Sequence, residues 1–306
     1  MTRQSSIDLA SPDRPFDNII NFRDVGRSVN QFCGAQILQE SVLFRSARLD
    51  DASERDTRRL TEELHISTVI DLRSQTEHQM ATRKRRAENA SSDDDFPEKP
   101  VTPGADEHIL SIPGAQCTRI SLTGKGFERA LLWRLDWVNY FKVLGLAVTG
   151  YRPDAVRLIG EQVMQPRGLT GLAQDTLDAS TSELRTVFEL LARDDTYPAL
   201  VHCTQGKDRT GLVVLMLLLL AGESVPEAAM TDDYVRSELE LVPEFEERMR
   251  EIRALGLGED YTRCPPGFVA ATTRYLADRY GGVREYLAGI GVPSEMQERI
   301  RRKLLV

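Results

Sequence analysis

The 306-residue sequence contains little cysteine and little histidine, with four residues of each type. The cysteines are Cys33, Cys117, Cys203 and Cys264. They are far apart, without the paired spacing that is typical of metal sites and disulfide frameworks. His65, His78 and His108 also have no neighbours that indicate a ligand set, so we expect structural roles for them. The sequence therefore predicts no metal site and no cofactor.

Long apolar runs and an excess of positive charge are missing too. The longest apolar run, residues 212–221, is too short to cross a bilayer, and residues 1–15 lack the apolar core of a secretory signal. The chain has 39 basic and 47 acidic residues, which disfavours a general nucleic-acid binder. Its content of 41% hydrophobic and 28% charged residues is that of a globular protein. We expect a cytoplasmic protein without an integral membrane segment.

A polar loop between two apolar runs is the most informative stretch of the chain. Residues 201–211 read Val-His-Cys-Thr-Gln-Gly-Lys-Asp-Arg-Thr-Gly, preceded by Pro-Ala-Leu and followed by the apolar run 212–221. This order predicts a buried strand, a tight loop and a buried helix. Inward-pointing loop amides and the positive end of a helix dipole form a site for a phosphate-like dianion.

The residue types in this loop fit a nucleophilic reaction at phosphorus. Such a nest favours the thiolate form of Cys203, which is the active nucleophile. The planar fork of Arg209 matches two phosphate oxygens at once. Gly206 allows the backbone to approach the anion, and the Thr210 hydroxyl is expected to hydrogen-bond the thiolate as a leaving group. The expected substrate-binding residues are His202, Thr204, Gln205, Gly206, Lys207, Asp208, Thr210 and Gly211.

The loop resembles the phosphate-binding loop of the cysteine-dependent phosphatases, the protein tyrosine phosphatase superfamily. A rhodanese-like sulfurtransferase also places a cysteine in an anion-binding loop, but the ending Gly-Lys-Asp-Arg-Thr-Gly is not expected there. Three upstream motifs occur in order: Asn-Phe-Arg-Asp-Val-Gly at 21–26, Phe-Arg-Ser at 44–46 and Asp-Leu-Arg-Ser at 71–74. Together with the loop they resemble the tyrosine phosphatase family of the PtpB type, from about residue 18 to the end.

The leaving group also needs a proton donor, and Asp71 is the first candidate. It is predicted at the carboxyl end of a strand, where parallel sheets collect their functional groups, and it matches the family's Asp-Leu-Arg-Ser segment. An alternative role for Asp71 is ion pairing with Arg73 or Arg45. Asp208 and Asp24 are the other candidates for the acid.

The expected fold is α/β, with a central, mostly parallel sheet flanked by helices and the phosphate-binding loop between a strand and a helix. Residues 1–17 are expected to form a flexible tail, and residues 18–306 a single domain. Within this domain we expect a disordered insertion near 83–107, because a basic cluster, an acidic run and three prolines follow one another there. The apolar stretch 131–149 holds both tryptophans and favours core, although the resemblance implies a helical lid over the site.

The function expected from these features is hydrolysis of phosphotyrosine through a phosphocysteine intermediate, with phosphoserine, phosphothreonine and phosphoinositides as further substrates. Lys207 adds a second cation beside Arg209, and the lipid phosphatases also resemble this loop in their Gly-Lys pair. Two alternatives remain open: a phosphatase that prefers phosphoinositides, and a module that binds phosphate without turnover. The expected partner is a phosphorylated protein or a phosphoinositide, and the sequence predicts no oligomeric state.

Overall fold

The computed structural model of the chain describes residues 15–90 and 112–306. The strands are β1 (Arg23–Asp24), β2 (Leu43–Ser46), β3 (Thr68–Asp71), β4 (Gln116–Arg119) and β5 (Ala199–His202). The helices are α1 (Val25–Cys33), α2 (Glu54–Arg58), α3 (Gln75–Ala90), α4 (Lys125–Trp133), α5 (Trp137–Val148), α6 (Arg152–Ile159), α7 (Gln165–Ala179), α8 (Thr181–Leu191), α9 (Asp208–Ala221), α10 (Glu227–Glu240), α11 (Phe245–Ala254), α12 (Phe268–Tyr280), α13 (Val283–Gly289) and α14 (Ser294–Leu304).

The strands form one sheet in the order β1-β2-β5-β3-β4. β2, β5, β3 and β4 run parallel, and the short β1 pairs antiparallel with β2. β5 is the central strand, and all of its residues are buried. The mostly parallel α/β fold is therefore confirmed, and the loop after β5 emerges at the middle of the carboxyl edge, where open α/β sheets bind their ligands.

The two faces of the sheet are covered by different apolar clusters. Ile70, Val201 and Cys203 belong to the larger cluster, together with most of α9 and the inner faces of α8 and α12. Val69 and Leu200 belong to the smaller cluster on the other face. α9 is apolar on nearly all sides and accordingly lies in the interior, until Gly222 ends it with φ 98°.

Two predicted boundaries shift in the structure. Residues 15–17 are not part of a loose tail: the Phe16 ring lies 4.4 Å from that of Phe22, and the backbone N–H of Asp17 donates to Asp56. The predicted insertion does not begin at residue 83, since α3 extends to Ala90 and residues 83–90 are part of this polar helix. The rest of the predicted tail and insertion, residues 1–14 and 91–107, and His108 lie outside the described residues.

The stretch 131–149 is helical, but the preference for core is wrong for one of its faces. It divides into the end of α4 and all of α5, because Asp136 caps a new helix through the backbone N–H groups of Val138 and Asn139. Trp133 and Trp137 are 74% and 77% exposed. Within the described ranges, no helix has the length and apolar character needed to cross a membrane.

Candidate active site

The phosphate loop (residues 203–209) leaves the carboxyl end of β5 and enters α9. Cys203 lies at its start and is 2% exposed. Gly206 has φ 66°, and a Cβ there would lie 2.0 Å from the Ser46 carbonyl oxygen. The loop therefore requires glycine at this position, both for the left-handed backbone and for the close approach to β2.

The loop carbonyls are held away from Cys203 by residues of the first two upstream motifs and by Arg48. Asn21 Nδ2 donates to the Gln205 carbonyl at 2.9 Å, and Arg45 Nη2 donates to the Gly206 carbonyl at 2.7 Å. The backbone N–H of Arg48 donates to the Thr204 carbonyl at 3.0 Å. With these carbonyls fixed outside, the opposite ends of the peptide dipoles point into the loop.

The backbone N–H groups of residues 204–207 are the donors on the other side of these peptide groups. The backbone N–H of Gly206 donates to Cys203 Sγ at 3.2 Å. Those of Thr204, Gln205 and Lys207 have no acceptor among the described residues. The Gly206 N–H thus points at the sulfur, and the other three amides can donate to a bound anion, which suits a phosphate dianion.

A buried ion-pair network supports this arrangement from behind. Asp233 on α10 is 2% exposed and pairs with the fully buried Arg45 and with Arg23, whose Nε donates to it at 2.7 Å. Arg23 Nη1 in turn donates to Asn21 Oδ1 at 2.5 Å. The charges of Arg23 and Arg45 outweigh the effect of burial and lower the pKa of Asp233. The network thus braces the two side chains that bind loop carbonyls.

Arg209 makes a bidentate ion pair with Glu77 near the start of α3. Its Nη1 and Nη2 donate to the two carboxylate oxygens at 2.6 Å each, and Thr204 Oγ1 donates to the same carboxylate. The side chains of Arg209 and Glu77 are only 18% and 22% exposed. Burial alone would raise the pKa of Glu77, but the charge and hydrogen bonds of Arg209 hold it well below its ordinary value. Glu77 is therefore a carboxylate that fixes the guanidinium.

Lys207 does not point into the phosphate loop. Its side chain is fully buried, and Nζ donates to the backbone carbonyls of Tyr261 and Arg263 at 2.7 and 2.8 Å. The nearest carboxylate oxygen, on Asp208, lies 3.6 Å away. The expectation of a second cation at the substrate is not supported by this placement, because the ammonium group is used to tie the loop to the turn at 259–263.

Asp71 lies at the predicted strand end but on the other face of the sheet. β3 and β5 pair with Asp71 opposite His202, and side chains alternate along each strand. Asp71 therefore shares a face with Val69 and Leu200, whereas Cys203 belongs to the cluster on the opposite face. The same edge of the sheet thus carries both residues, but their side chains point apart.

The contacts of Asp71 also argue against a proton donor. Arg73 donates to its carboxylate through Nε at 3.1 Å and Nη2 at 2.8 Å, which is the structural role considered as the alternative. Burial acts to raise its pKa, but the charges of His202 and Arg73 hold the pKa well below the usual range. A carboxylate held in its ionised form has no proton to give, so the assignment of Asp71 as the acid is not supported.

Of the other two candidates, Asp24 is occupied as a helix cap. Its Oδ1 accepts from the backbone N–H of Arg27 at 3.2 Å, and Oδ2 accepts from that of Ser41 at 2.5 Å. Asp208 is the first residue of α9, next to Arg209, with a side chain that is 39% exposed. Its buried Oδ1 accepts no hydrogen bond among the described residues and lies 3.6 Å from Lys207 Nζ. Of the three candidates, Asp208 is therefore the one whose carboxyl group is partly exposed beside Arg209.

Three further residues expected at the substrate lie behind it. His202 is buried, with Nδ1 3.2 Å from the Cys203 carbonyl and Nε2 3.6 Å from Asp71, and burial lowers its pKa. It therefore supports the loop from the face of the sheet opposite Cys203. Gly211 packs against the Tyr234 ring, which a Cβ would approach to 3.0 Å. The Thr210 hydroxyl is buried without a hydrogen-bond partner among the described residues, so the expected bond to Cys203 is not formed here.

Sequence reasoning missed Glu77 and Asp233. Glu77 had a local signal, because Ser74 and Glu77 form a capping box in which each side chain binds the other's backbone N–H. That pattern predicts a helix start but not the contact with Arg209, which is 132 residues away. Asp233 had no signal, since an acidic residue in a polar helix is ordinarily solvated.

The site combines a recessed sulfur, inward amides, a fixed guanidinium and an adjacent carboxyl group. This set can hold a tetrahedral dianion, attack it in line and stabilise the charge that moves onto its equatorial oxygens. Within residues 15–90 and 112–306, no three His, Cys, Asp or Glu side chains are grouped in a way that would bind a metal ion.

Comparisons with known proteins agree with this chemistry. Residues 14–306 match the tyrosine phosphatase family. The chain is 30% identical over 284 residues to a triple specificity protein phosphatase, PtpB, of Mycobacterium tuberculosis. This match covers 88% of the present chain and 83% of the mycobacterial protein. It is also 32% identical over 138 residues to a tyrosine-protein phosphatase of Nostoc commune, a match that covers 42% of this chain and 46% of the Nostoc protein.

Proposed function

The chain belongs to the tyrosine phosphatase family, and from this premise we propose that it hydrolyses phosphate monoesters through a phosphocysteine at Cys203. The observation that carries the proposal is the polarity of the phosphate loop: three carbonyls are bound on its outside, and Gly206 donates its N–H to the Cys203 sulfur. A loop built in this way stabilises both a thiolate and the phosphoryl group that it attacks.

The reaction proceeds in two steps. The Cys203 thiolate forms an S–P bond while the bond between phosphorus and the leaving oxygen breaks, and that oxygen takes a proton from a carboxylic acid. Water then attacks phosphorus, the S–P bond breaks, and the thiolate is restored as the carboxylate accepts the proton from water. Arg209 and the loop amides hold the equatorial oxygens in both steps.

We assign the proton transfers to Asp208. Its carboxyl group is partly exposed beside Arg209, and only its buried oxygen Oδ1 faces Lys207 Nζ, at 3.6 Å and without a hydrogen bond. The carboxylates of Asp24 and Asp71 are both engaged by backbone or arginine donors.

Phosphotyrosine is the proposed primary substrate. Cys203 is 2% exposed, so the phosphorus must reach a recessed sulfur, and an aryl group holds its phosphate farther from the peptide backbone than serine does. The name of the mycobacterial relative supports broader specificity, and we extend the proposal to phosphoserine, phosphothreonine and phosphoinositides. The buried Lys207 does not contribute to this breadth.

Hydrolysis of para-nitrophenyl phosphate by the wild-type chain tests the chemistry. Cys203→Ser should abolish turnover while phosphate-analogue binding remains, and a ³²P-labelled covalent adduct should form only when the cysteine is present. Arg209→Lys should lower kcat by roughly 10²–10³-fold, because the charge stays but the bidentate geometry is lost. A wild-type chain that binds vanadate but shows no turnover would be a phosphate-binding module instead.

A leaving-group series tests the acid. Asp208→Asn should slow hydrolysis of alkyl phosphates by roughly 10²–10⁴-fold and of para-nitrophenyl phosphate much less, because only poor leaving groups need the proton. Asp71→Asn is the matched control and should slow all esters equally. If the leaving-group pattern appears in Asp71→Asn and not in Asp208→Asn, the two roles are exchanged.

A further inference from the structure

The helix α5 is apolar on both of its faces, but only one face is covered. Val143 is buried on the inner side, where α5 packs chiefly against α6. On the outer side, Trp137, Phe141 and Val148 recur at helical spacing and are 59–79% exposed. A helix that is apolar all round ordinarily lies inside a protein or a membrane. The outer side of α5 therefore has the composition of a surface that another apolar phase covers.

This surface continues onto the end of α4 and forms one aromatic patch. We define the aromatic face by six exposed side chains: Trp133, Trp137, Val138, Phe141, Leu144 and Val148. Trp133 stacks on Tyr140 with ring centres 6.3 Å apart, Tyr140 meets Phe141 edge-on at 5.7 Å, and Phe141 stacks on Trp137 at 6.2 Å. The aromatic rings are thus in contact with one another, and the patch is continuous rather than a set of scattered residues.

The charges around the aromatic face differ in sign from those of the whole chain. Residues 125–148 contain four basic and two acidic residues, against 39 and 47 in the complete sequence. Arg134 pairs with Asp175, and Asp136 caps α5. Lys125, Arg129 and Lys142 are exposed and make no ion pair with any described residue.

We propose that the aromatic face binds the interfacial region of an anionic lipid bilayer. Tryptophan and tyrosine combine an apolar ring with a polar edge and are favoured where hydrocarbon meets head groups. The three unpaired cations can remain at the level of the anionic head groups while the rings enter the bilayer. A symmetric contact between two copies would instead bring together two faces that each carry these cations, which charge repulsion disfavours.

The position of the face fits a role in presenting membrane-bound substrate. α4 begins just after Thr123, whose Oγ1 lies 3.5 Å from Arg209 Nη1. Its nine residues span roughly 14 Å at 1.5 Å each, so the face begins about one short helix from the site. The binding proposal itself does not depend on the proposed chemistry, and Cys203→Ser should bind vesicles like the wild type.

The two tryptophans of the chain both lie on this face, so selectively excited tryptophan fluorescence reports on it alone. With vesicles of phosphatidylcholine and phosphatidylserine, we expect co-sedimentation, a blue shift of tryptophan emission, and quenching by brominated acyl chains. Phosphatidylcholine alone should bind more weakly. Lys142→Gln should weaken binding to the anionic vesicles about five-fold and leave neutral vesicles unaffected, because one basic residue near the surface contributes about that factor.

Phe141→Ser keeps both tryptophans and should weaken binding to both kinds of vesicle. Phe32→Ser removes a similarly exposed ring on α1 and is the matched control, and para-nitrophenyl phosphate turnover shows that each variant is folded. The proposal is overturned if neither vesicle sediments the protein, or if Phe32→Ser has the effect expected of Phe141→Ser. It is also overturned if the blue shift follows protein concentration without lipid and analytical ultracentrifugation shows a dimer.

Discussion

The ion pair between Glu77 and Arg209 allows a specific test of how Arg209 is positioned for the proposed reaction. In Glu77→Gln, the side chain keeps its size, but one carboxylate oxygen becomes an NH₂ group that faces the guanidinium donors. The two hydrogen bonds of 2.6 Å and the charge attraction cannot both survive this change. Arg209 then has a choice of orientations where the wild type has one.

The size of the effect follows from the burial of the pair. Hydrogen bonds to charged groups contribute about 1.5–3 kcal/mol each, and with both side chains more than three-quarters buried we expect a loss of about 3 kcal/mol in the free energy of unfolding. If the same contact orients Arg209 in the transition state, kcat/KM falls by up to about 100-fold, mostly in kcat.

Stability and kinetics should be measured on the same preparations, with urea unfolding at several pH values and turnover of para-nitrophenyl phosphate. The pKa of Glu77 is held below its ordinary value of 4.5, so its stabilisation is present above that pH and is lost as the pH falls. The difference in urea midpoint between wild type and Glu77→Gln should therefore shrink below about pH 4.5.

Asp50→Asn is the matched control. Asp50 forms a comparable bidentate pair with Arg73, at 2.5 and 2.9 Å, on the face of the sheet away from Cys203. It should lower stability with little effect on kcat. The reasoning is refuted if Glu77→Gln is as active as the wild type or more active, because Glu77 would then compete with the substrate for Arg209 instead of positioning it.

Three further outcomes follow from the loop and its supports. Lys207→Met should reduce turnover of para-nitrophenyl phosphate and of a phosphoinositide by the same factor, since Nζ binds two backbone carbonyls. A selective loss of activity on the phosphoinositide would indicate that Lys207 binds substrate after all. Gly206→Ala should abolish turnover, because the added Cβ would clash with β2. Gly145→Ala should leave turnover unchanged, since no atom lies within 4 Å of its added Cβ. An active Gly206→Ala variant would show that the loop can adopt a different backbone conformation. Asp233→Asn should destabilise the fold by about 3–5 kcal/mol by leaving buried arginines without their anion, and unchanged thermal melting would contradict this.

The phosphate loop could be predicted because its information is local. A short apolar run, a glycine-containing turn and a long apolar run are consecutive in the chain, and their order alone specifies strand, loop and helix. The proposed nucleophile, Cys203, and its partner Arg209 follow from residue types within seven positions. The parallel sheet was predictable for a similar reason, since apolar strands alternate with helices along the chain.

The roles of Asp71, Lys207 and Glu77 required the tertiary structure. Whether Asp71 faces Cys203 depends on the register between β3 and β5, which a one-residue shift would reverse. Lys207 was expected at the substrate because its type is cationic, but its partners are carbonyls 54 and 56 residues away. Glu77 meets Arg209 only because α3 and α9 begin at the same edge of the sheet.

The aromatic face shows the same division between composition and placement. The sequence alone determined that 131–149 is apolar, and apolar stretches are usually buried. The sheet and its covering helices leave the outer side of α5 in contact with solvent, since α5 packs chiefly on α6 and not in either main cluster. A sequence specifies which side chains avoid water, whereas the fold decides which of them are covered, because burial is a property of neighbours that come from distant parts of the chain.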